Sequence, residues 1–356
     1  VSQVHHVEHP GGARSQLTFF DEPIGSVSRQ PGGSAMAFTM DAGGSEFAQI
    51  FLMDPASGAE PKMLSDGESL NASLVWSRDG SQLAFRSTRR NGSSNDVWVM
   101  DINNKESARM VMKSPDGTYW MPADFSADGK QLLIENYVGN ADSRIHLLDL
   151  ESGEMRLLAG GGDKPGSNSP LGFDASGKGF WYTTDRAGEF EQLAWQSLTE
   201  GSEPEFVTAE IPWTVEDIAF SQDRRRAAFT VNESGFSRLY LMDTIRKTYR
   251  PVKDIPIGVV QSLAFSPDGT RLGMTINTPQ TPADSYVLAL RLNPLLHKEL
   301  TRWTFSEVGG LDTTAFIEPQ LISYPTFDTG QGGPDGIPAW LYQPPGTGPH
   351  PVVISI

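Results

Sequence analysis

Several stretches of the chain carry residue types at spacings that could do chemistry. His5-His6-Val7-Glu8-His9 satisfies the His-x-x-Glu-His pattern of one class of zinc hydrolases, which works only where residues four apart share a helix face. Pro10-Gly11-Gly12 follows at once, so the run reads as a strand and does not point to a metal. Gly172-Phe173-Asp174-Ala175-Ser176-Gly177-Lys178 has the spacing of a phosphate-binding loop. Gly179 stands where the magnesium-ligating hydroxyl must be, however, and no helical pattern follows. Asn71-Ala72-Ser73, Asn91-Gly92-Ser93 and Asn232-Glu233-Ser234 are glycosylation sequons, meaningful only in a eukaryotic secreted protein. No Gly-x-Ser-x-Gly elbow occurs, there is no Cys, and none of the six His stands in a context that marks a general base. The chain carries no catalytic constellation.

The elements that carry these residues form a repeat. Two apolar residues, a Ser or Asp, a Pro/Asp/Gly turn and a second apolar run recur, most clearly at Leu74-Val75-Trp76-Ser77-Arg78-Asp79-Gly80, Ala123-Asp124-Phe125-Ser126-Ala127-Asp128-Gly129 and Leu263-Ala264-Phe265-Ser266-Pro267-Asp268-Gly269. Aligned on Val27, Trp76, Phe125, Phe173, Phe220 and Phe265, the copies are 49, 49, 48, 47 and 45 residues apart. Each turn is followed by a second apolar run, a polar loop, and an alternating run ending in Asp, such as Val97-Trp98-Val99-Met100-Asp101. Four short strands in a unit of roughly 45 residues are the signature of a β-propeller blade, whose sheet buries its faces only against its neighbours. The turn chemistry agrees: Asp accepts from the backbone two residues on, and Gly takes the positive φ that the hairpin needs. Ser114-Pro115-Asp116-Gly117-Thr118-Tyr119-Trp120 is close to the Asp-box of sialidase propellers, but it is one residue short and occurs once.

The expected fold is therefore all-β: a propeller over residues 1–304, with six full four-stranded blades and part of a seventh. The partial blade is a strand at 1–7, a turn at Pro10-Gly11-Gly12 and a strand at 15–20. Either residues before Val1 complete that blade or the ring closes another way, since an unpaired strand edge is a liability. Residues 305–320 read as a linker. Leu321-Ser323, Ile337-Tyr342 and Pro351-Ile356 then give three strand patterns that open a second domain at 321–356, the last a β-branched run of the kind buried in a parallel sheet.

Lys+Arg 28 against Asp+Glu 44 gives a net charge of -16, which repels a phosphate backbone and argues against a nucleic-acid partner. No run approaches the roughly 18 apolar residues of a membrane span, and the first residues lack the pattern of a signal peptide. The chain does not begin with Met, so compartment stays open, as does oligomeric state.

Two regions resemble a known family. Gln16-Leu17-Thr18-Phe19-Phe20-Asp21-Glu22-Pro23 and Asp41-Ala42-Gly43-Gly44-Ser45-Glu46-Phe47-Ala48-Gln49-Ile50 resemble the start of the propeller in bacterial prolyl oligopeptidase family enzymes, the dipeptidyl aminopeptidase and acylaminoacyl-peptidase-like members. Leu300-Thr301-Arg302-Trp303, Glu307-Val308-Gly309-Gly310-Leu311, Tyr324-Pro325-Thr326-Phe327-Asp328, Ile337-Pro338-Ala339-Trp340-Leu341-Tyr342 and Pro349-His350-Pro351-Val352-Val353-Ile354-Ser355-Ile356 are similar to that family's passage into its α/β-hydrolase domain. A Gly-rich insert, Thr329-Gly330-Gln331-Gly332-Gly333-Pro334, departs from the pattern by its length.

The resemblance implies a serine peptidase acting on short peptides through a Ser-His-Asp triad that lies beyond Ile356. This segment would be its substrate-gating lid, without catalytic residues, metal or organic cofactor, and the family's habit of export suggests a periplasmic or secreted protein. The propeller's partner would be its own hydrolase domain. In a four-stranded blade the loop between strands two and three lies on the same face as the exit from strand four. The loops at 41–47, 87–95, 136–142, 183–190, 231–237 and 277–284 would then face the hydrolase domain. Among them Arg89, Arg90, Asp185, Arg186 and Glu189 offer charge that could hold a peptide's carboxylate or amino terminus. The other reading is a non-catalytic, TolB-like propeller that scaffolds protein partners, which blade repeats by themselves do not separate from the first.

Overall fold

The computed structural model describes residues 1–163, 165–325 and 336–355. Six antiparallel four-stranded sheets follow one another along the chain: blade 1 (24–63), blade 2 (71–112), blade 3 (119–159), blade 4 (168–206), blade 5 (215–251) and blade 6 (259–302). Among the described residues there is only one helical turn, Thr313–Ala315, and no helix long and apolar enough to cross a membrane. All six blades keep their strands in sequence order from first to fourth.

The blades form because each sheet is apolar on both faces, and successive sheets cover one another. Phe85 and Met100 of blade 2 meet Ile50 of blade 1, while Trp120 and Phe125 of blade 3 meet Val97 and Ala84 of blade 2. Further clusters join blades 3 and 4, 4 and 5, and 5 and 6. Each fully buried large side chain contributes on the order of 1.5–3 kcal/mol, so a blade is stable only between neighbours. No comparable cluster among the described residues joins blade 6 onward around the ring.

The hairpin expected at the N-terminus is present but shorter, with strands His5–Val7 and Arg14–Gln16. Val4, Leu17 and Phe20 pack on blade 1 against Phe38 and Phe51. Its turn touches the other end of the ring, where the Gly11 amide donates to the Trp303 carbonyl at 3.0 Å. A cavity of about 520 Å³ lies beside this junction, lined by Phe265 and Val287 of blade 6, the blade 1 turn at Pro31, and Trp303.

The repeat is closed by one hydrogen bond that recurs in every blade. Ser77 N to Gln82 O, Ser126 N to Gln131 O, Asp174 N to Gly179 O, Ser221 N to Arg226 O and Ser266 N to Arg271 O each span five residues. In blade 1 the same bond runs from Gln30 N to Ala35 O, and Arg29 pairs with Met36 as Trp76 pairs with Leu83. Arg29, not Val27, is therefore the blade 1 counterpart of Trp76, and the first spacing is 47 rather than 49 residues. The expected alignment followed hydrophobicity, but Val27 is 47% exposed. Within the turns, Ser77, Ser126, Ser221 and Ser266 each donate to the Asp two residues on, at 2.6 Å.

After blade 6 the chain crosses the ends of blades 5 and 6 and forms a hairpin, Gln320–Tyr324 with Ile337–Leu341. The third expected strand is not formed: residues 351–355 carry no ladder, and Val353 is 93% exposed. A strand of that composition needs sheet neighbours on both sides, and the described residues supply none. The Gly-rich Thr329–Pro334 insert and Thr326-Phe327-Asp328 lie outside the described residues.

Candidate functional site

The strand-two-to-three loops of blades 5 and 6 receive the segment that follows the propeller. Trp340 Nε1 donates to the Ser234 carbonyl at 2.9 Å, its ring meets Phe236 edge-on at 6.0 Å, and Gln280 Nε2 donates to Phe316 O at 3.1 Å. The Pro/Asp/Gly turns sit at the opposite ends of the same strands. Strand two of blade 6, Arg271–Thr278, has eight residues, which separates the two faces by roughly 25 Å.

On the loop face the five charged residues singled out above fall into two groups. Arg90 is bound bidentately to Asp96, at 2.7 and 3.1 Å, and fully buried Asp96 also accepts from the Ser114 amide at 2.8 Å. Arg89 lies 3.3 Å from Asp66 and covers the Trp98 ring at 5.4 Å. Asp185 accepts from the Ser167 amide at 2.9 Å. These three brace loops. Arg186 and Glu189 are exposed, and neither side chain joins an ion pair among the described residues.

Three residues that the spacing did not single out lie on the strands behind these loops. Arg86, in strand two of blade 2 (Gln82–Ser87), is half-buried with its guanidinium 5.0 Å from the Tyr119 ring. Its Nε has no partner, and burial lowers its pKa with only Tyr119 offsetting that. Glu135, in strand two of blade 3 (Gln131–Gly139), is pushed up to about 7 by burial and then by the Glu191 carboxylate. His146, whose ring lies tilted against that of Trp120 with centroids 5.1 Å apart, is pushed down to about 4 by burial and then by Arg144. Glu135 had a sequence signal: it is the single acid in the run Gln131-Leu132-Leu133-Ile134-Glu135-Asn136-Tyr137-Val138-Gly139. An unpaired guanidinium and a proton-exchanging carboxylate can hold, respectively, an anionic and a cationic end of a small polar ligand.

The sequence motifs weighed above resolve into local structure. His5–Val7 is a strand, so His5 and His9 share no helix face. Gly172–Lys178 is the end of a strand and its turn, where Asp174 accepts from Ser176 and Lys178 amides. Asp116 accepts from the Thr118 amide, the Thr118 hydroxyl and Trp120 Nε1, so Ser114–Trp120 is a self-satisfied turn between blades 2 and 3.

On the turn face, the first strands of the blades converge on one carboxylate. Asp124 of blade 3 accepts from Arg224 of blade 5 at 2.9 Å and from the Phe173 amide of blade 4 at 2.8 Å, and Arg78 of blade 2 lies 3.6 Å away. Arg78 also donates to Phe173 O at 3.4 Å. Bonds that skip a blade, from 2 to 4 and from 5 to 3, pass near the ring axis.

Comparison with known proteins gives the following. The TolB β-propeller domain model matches residues 2–199. No curated protein matches in sequence. A structure from a structural and mechanistic study of two prolyl endopeptidases is similar with a TM-score of 0.71 at 14% identity, over 91% of this chain and 49% of that one. Prolyl oligopeptidase B from Galerina marginata, bound to a 35mer hydrolysis and macrocyclization substrate, is similar at 0.68 and 12%, over 86% and 44%. TolB from Acinetobacter baumannii is similar at 0.53 and 18%, over 75% and 65%. The chain spans about half the length of the two peptidases. At these identities the likeness is one of fold.

Proposed function

The chain belongs to the TolB β-propeller family, and from that premise we propose that it is the substrate-gating propeller of a serine peptidase of the prolyl oligopeptidase type, cleaving short peptides. The reading is carried by the docking of Trp340 on Ser234: the segment after blade 6 turns back onto the loop face, as a linker into a second domain must. The fold overlap with a prolyl endopeptidase, over 91% of this chain, supports the same reading.

In this scheme the nucleophilic Ser, its His and its Asp lie beyond Ile356. Ser attacks the scissile carbonyl to form an acyl-enzyme, His moves the proton and Asp orients His. The propeller covers that site. Arg86, Arg186, Glu135 and Glu189 would orient a peptide by its ends, while the Arg78–Asp124–Arg224 cluster narrows the axis on the turn side, so that folded proteins are excluded. No cofactor enters the scheme, and the hydrolase domain is the propeller's partner.

The test is a fluorophosphonate probe applied to the polypeptide encoded by the whole gene. Covalent labelling of a Ser beyond residue 356, together with cleavage of a chromogenic dipeptide substrate, is the expected result. Failure of both would leave the non-catalytic, TolB-like scaffold reading, and peptide hydrolysis would be withdrawn.

A further inference from the structure

The chain's charge is not evenly spread. Residues 221–302, most of blades 5 and 6, hold twelve Lys and Arg against seven Asp and Glu, a balance of +5, so the rest of a chain whose total is -16 carries -21. Part of this positive sector lies on the turn face, away from the Trp340 hairpin. There a cavity of about 1060 Å³ opens between the turns of blades 5 and 6, and Arg226, Arg271, Arg291 and Lys298 line it.

None of the four forms an ion pair among the described residues. Arg226 is spent on backbone, donating to the Arg291 and Leu292 carbonyls at 2.6 Å. That clamp fixes the blade 6 turn and holds Leu292 in solvent, 96% exposed. Arg291 uses its Nε on His297 O at 3.1 Å, which leaves its terminal nitrogens free to donate. The two carboxylates of the cavity are already engaged by their own turns. Asp223 accepts from Ser221 Oγ and the Arg225 amide, and Asp268 accepts from Ser266 Oγ, the Thr270 amide and Thr270 Oγ1. The groove therefore offers unclaimed cationic donors at Arg271, Arg291 and Lys298 beside an exposed apolar side chain.

We propose that this groove binds a short acidic peptide segment, its carboxylates held by Arg271, Arg291 and Lys298 and one apolar side chain seated on Leu292. Charge complementarity selects the occupant: planar carboxylates suit guanidinium forks. A long polyanion would run from this small positive sector onto the -21 remainder and be repelled. The site is on the face remote from the one assigned to peptide hydrolysis, so it stands or falls independently of that activity.

The experiment is fluorescence anisotropy of a fluorescein-labelled peptide, acetyl-Glu-Glu-Leu-Glu-Asp-Glu-amide, titrated with the 356-residue chain at low and high salt. Saturable binding that weakens with salt, and weakens about tenfold in the double variant Arg271→Gln with Lys298→Gln, is expected. Neither side chain has a hydrogen-bond partner among the described residues, so an unchanged Tm should accompany the loss. Equal affinity of the double variant, equal binding of a peptide with Lys in place of its acids, or tighter binding of a twelve-residue oligothymidylate would each overturn the proposal.

Discussion

Arg224 and Asp124, 100 residues apart in the chain, form an ion pair of 2.9 Å that ties blade 5 to blade 3. Arg224 stands where four sister turns have Gly80, Gly129, Gly177 and Gly269, and it holds their left-handed conformation at φ 58°. That backbone costs about 1 kcal/mol for a residue with a Cβ, so the side chain's reach to Asp124 offsets a local strain. Burial pushes the Asp124 carboxyl up, while Arg224, Arg78 and the Phe173 amide hold it down. Asp124→Ala leaves two partly buried guanidiniums unpaired and should cost about 3–5 kcal/mol. Arg224→Gly relieves the strain and should cost less, about 2 kcal/mol. Thermal unfolding followed by circular dichroism checks both, and the reverse order of Tm losses would refute this account of the cluster.

Glu135 gives stability a pH dependence of definite sign. Its carboxyl titrates near 7 in the fold against an ordinary value of 4.5, so the folded state binds the proton more tightly. Its contribution is fully present below 4.5 and is lost as pH rises through 7, about 1–3 kcal/mol in all. His146 acts in the opposite sense. Its proton is released down to about 4 rather than 6.5, so its contribution is present above 6.5 and lost as pH falls toward 4. Subtracting the urea-unfolding free energies of Glu135→Gln from those of the parent isolates the first effect. The difference should favour the variant progressively between pH 5 and 8; a flat difference would mean that Glu135 is solvated.

The parts that local chemistry decides were legible in the sequence. The Ser-x-Asp turns of blades 2, 3, 5 and 6 and the Asp-x-Ser turn of blade 4 hold themselves together by contacts two residues apart, so five of the six blade turns could be placed directly. Blade 1 slipped by two residues because its register is set by the Gln30–Ala35 bond, which leaves no compositional mark, whereas Val27 supplied a misleading apolar one. Arg224 was illegible for a different reason: nothing in Asp223-Arg224-Arg225 says which Arg takes the left-handed position, or that its partner lies two blades away. On the loop face, Arg90 and Arg186 look alike in sequence. They differ only in that Asp96 is positioned to receive the first.

Docking of the C-terminal hairpin rests on a close approach to a glycine. A Cβ at Gly235, where φ is +91°, would meet Trp340 Nε1 at 2.8 Å. Gly235→Ala is therefore expected to displace the indole as well as strain the turn, and Trp340→Ala to remove the contact without touching the turn. Hydrogen exchange should quicken in both variants at Gln320–Tyr324 and Ile337–Leu341. The Tm of the blades should fall by no more than a few degrees in Trp340→Ala. Unchanged exchange in that variant would show that the hairpin is held by other contacts.

The charged loop residues differ in what already holds them, and the proposed peptide-orienting role separates them accordingly. Arg89 is neutralised by Asp66 at 3.3 Å and Arg90 by Asp96, so withdrawing either should disturb its loop more than a bound peptide. Arg86 and Arg186 have no carboxylate partner within ion-pair distance among the described residues. On the proposed peptidase reading, Arg86→Gln and Arg186→Ala in the protein encoded by the whole gene should raise KM for a short peptide about three- to tenfold with kcat nearly unchanged, as expected when a charge-assisted contact is made equally in ground and transition states. Arg89→Ala should change KM less than either. Steady-state kinetics with one chromogenic dipeptide across the three variants decides the matter: if KM follows Arg89 and ignores Arg86 and Arg186, the unpaired cations do not meet substrate, and the loop at Asp66 does.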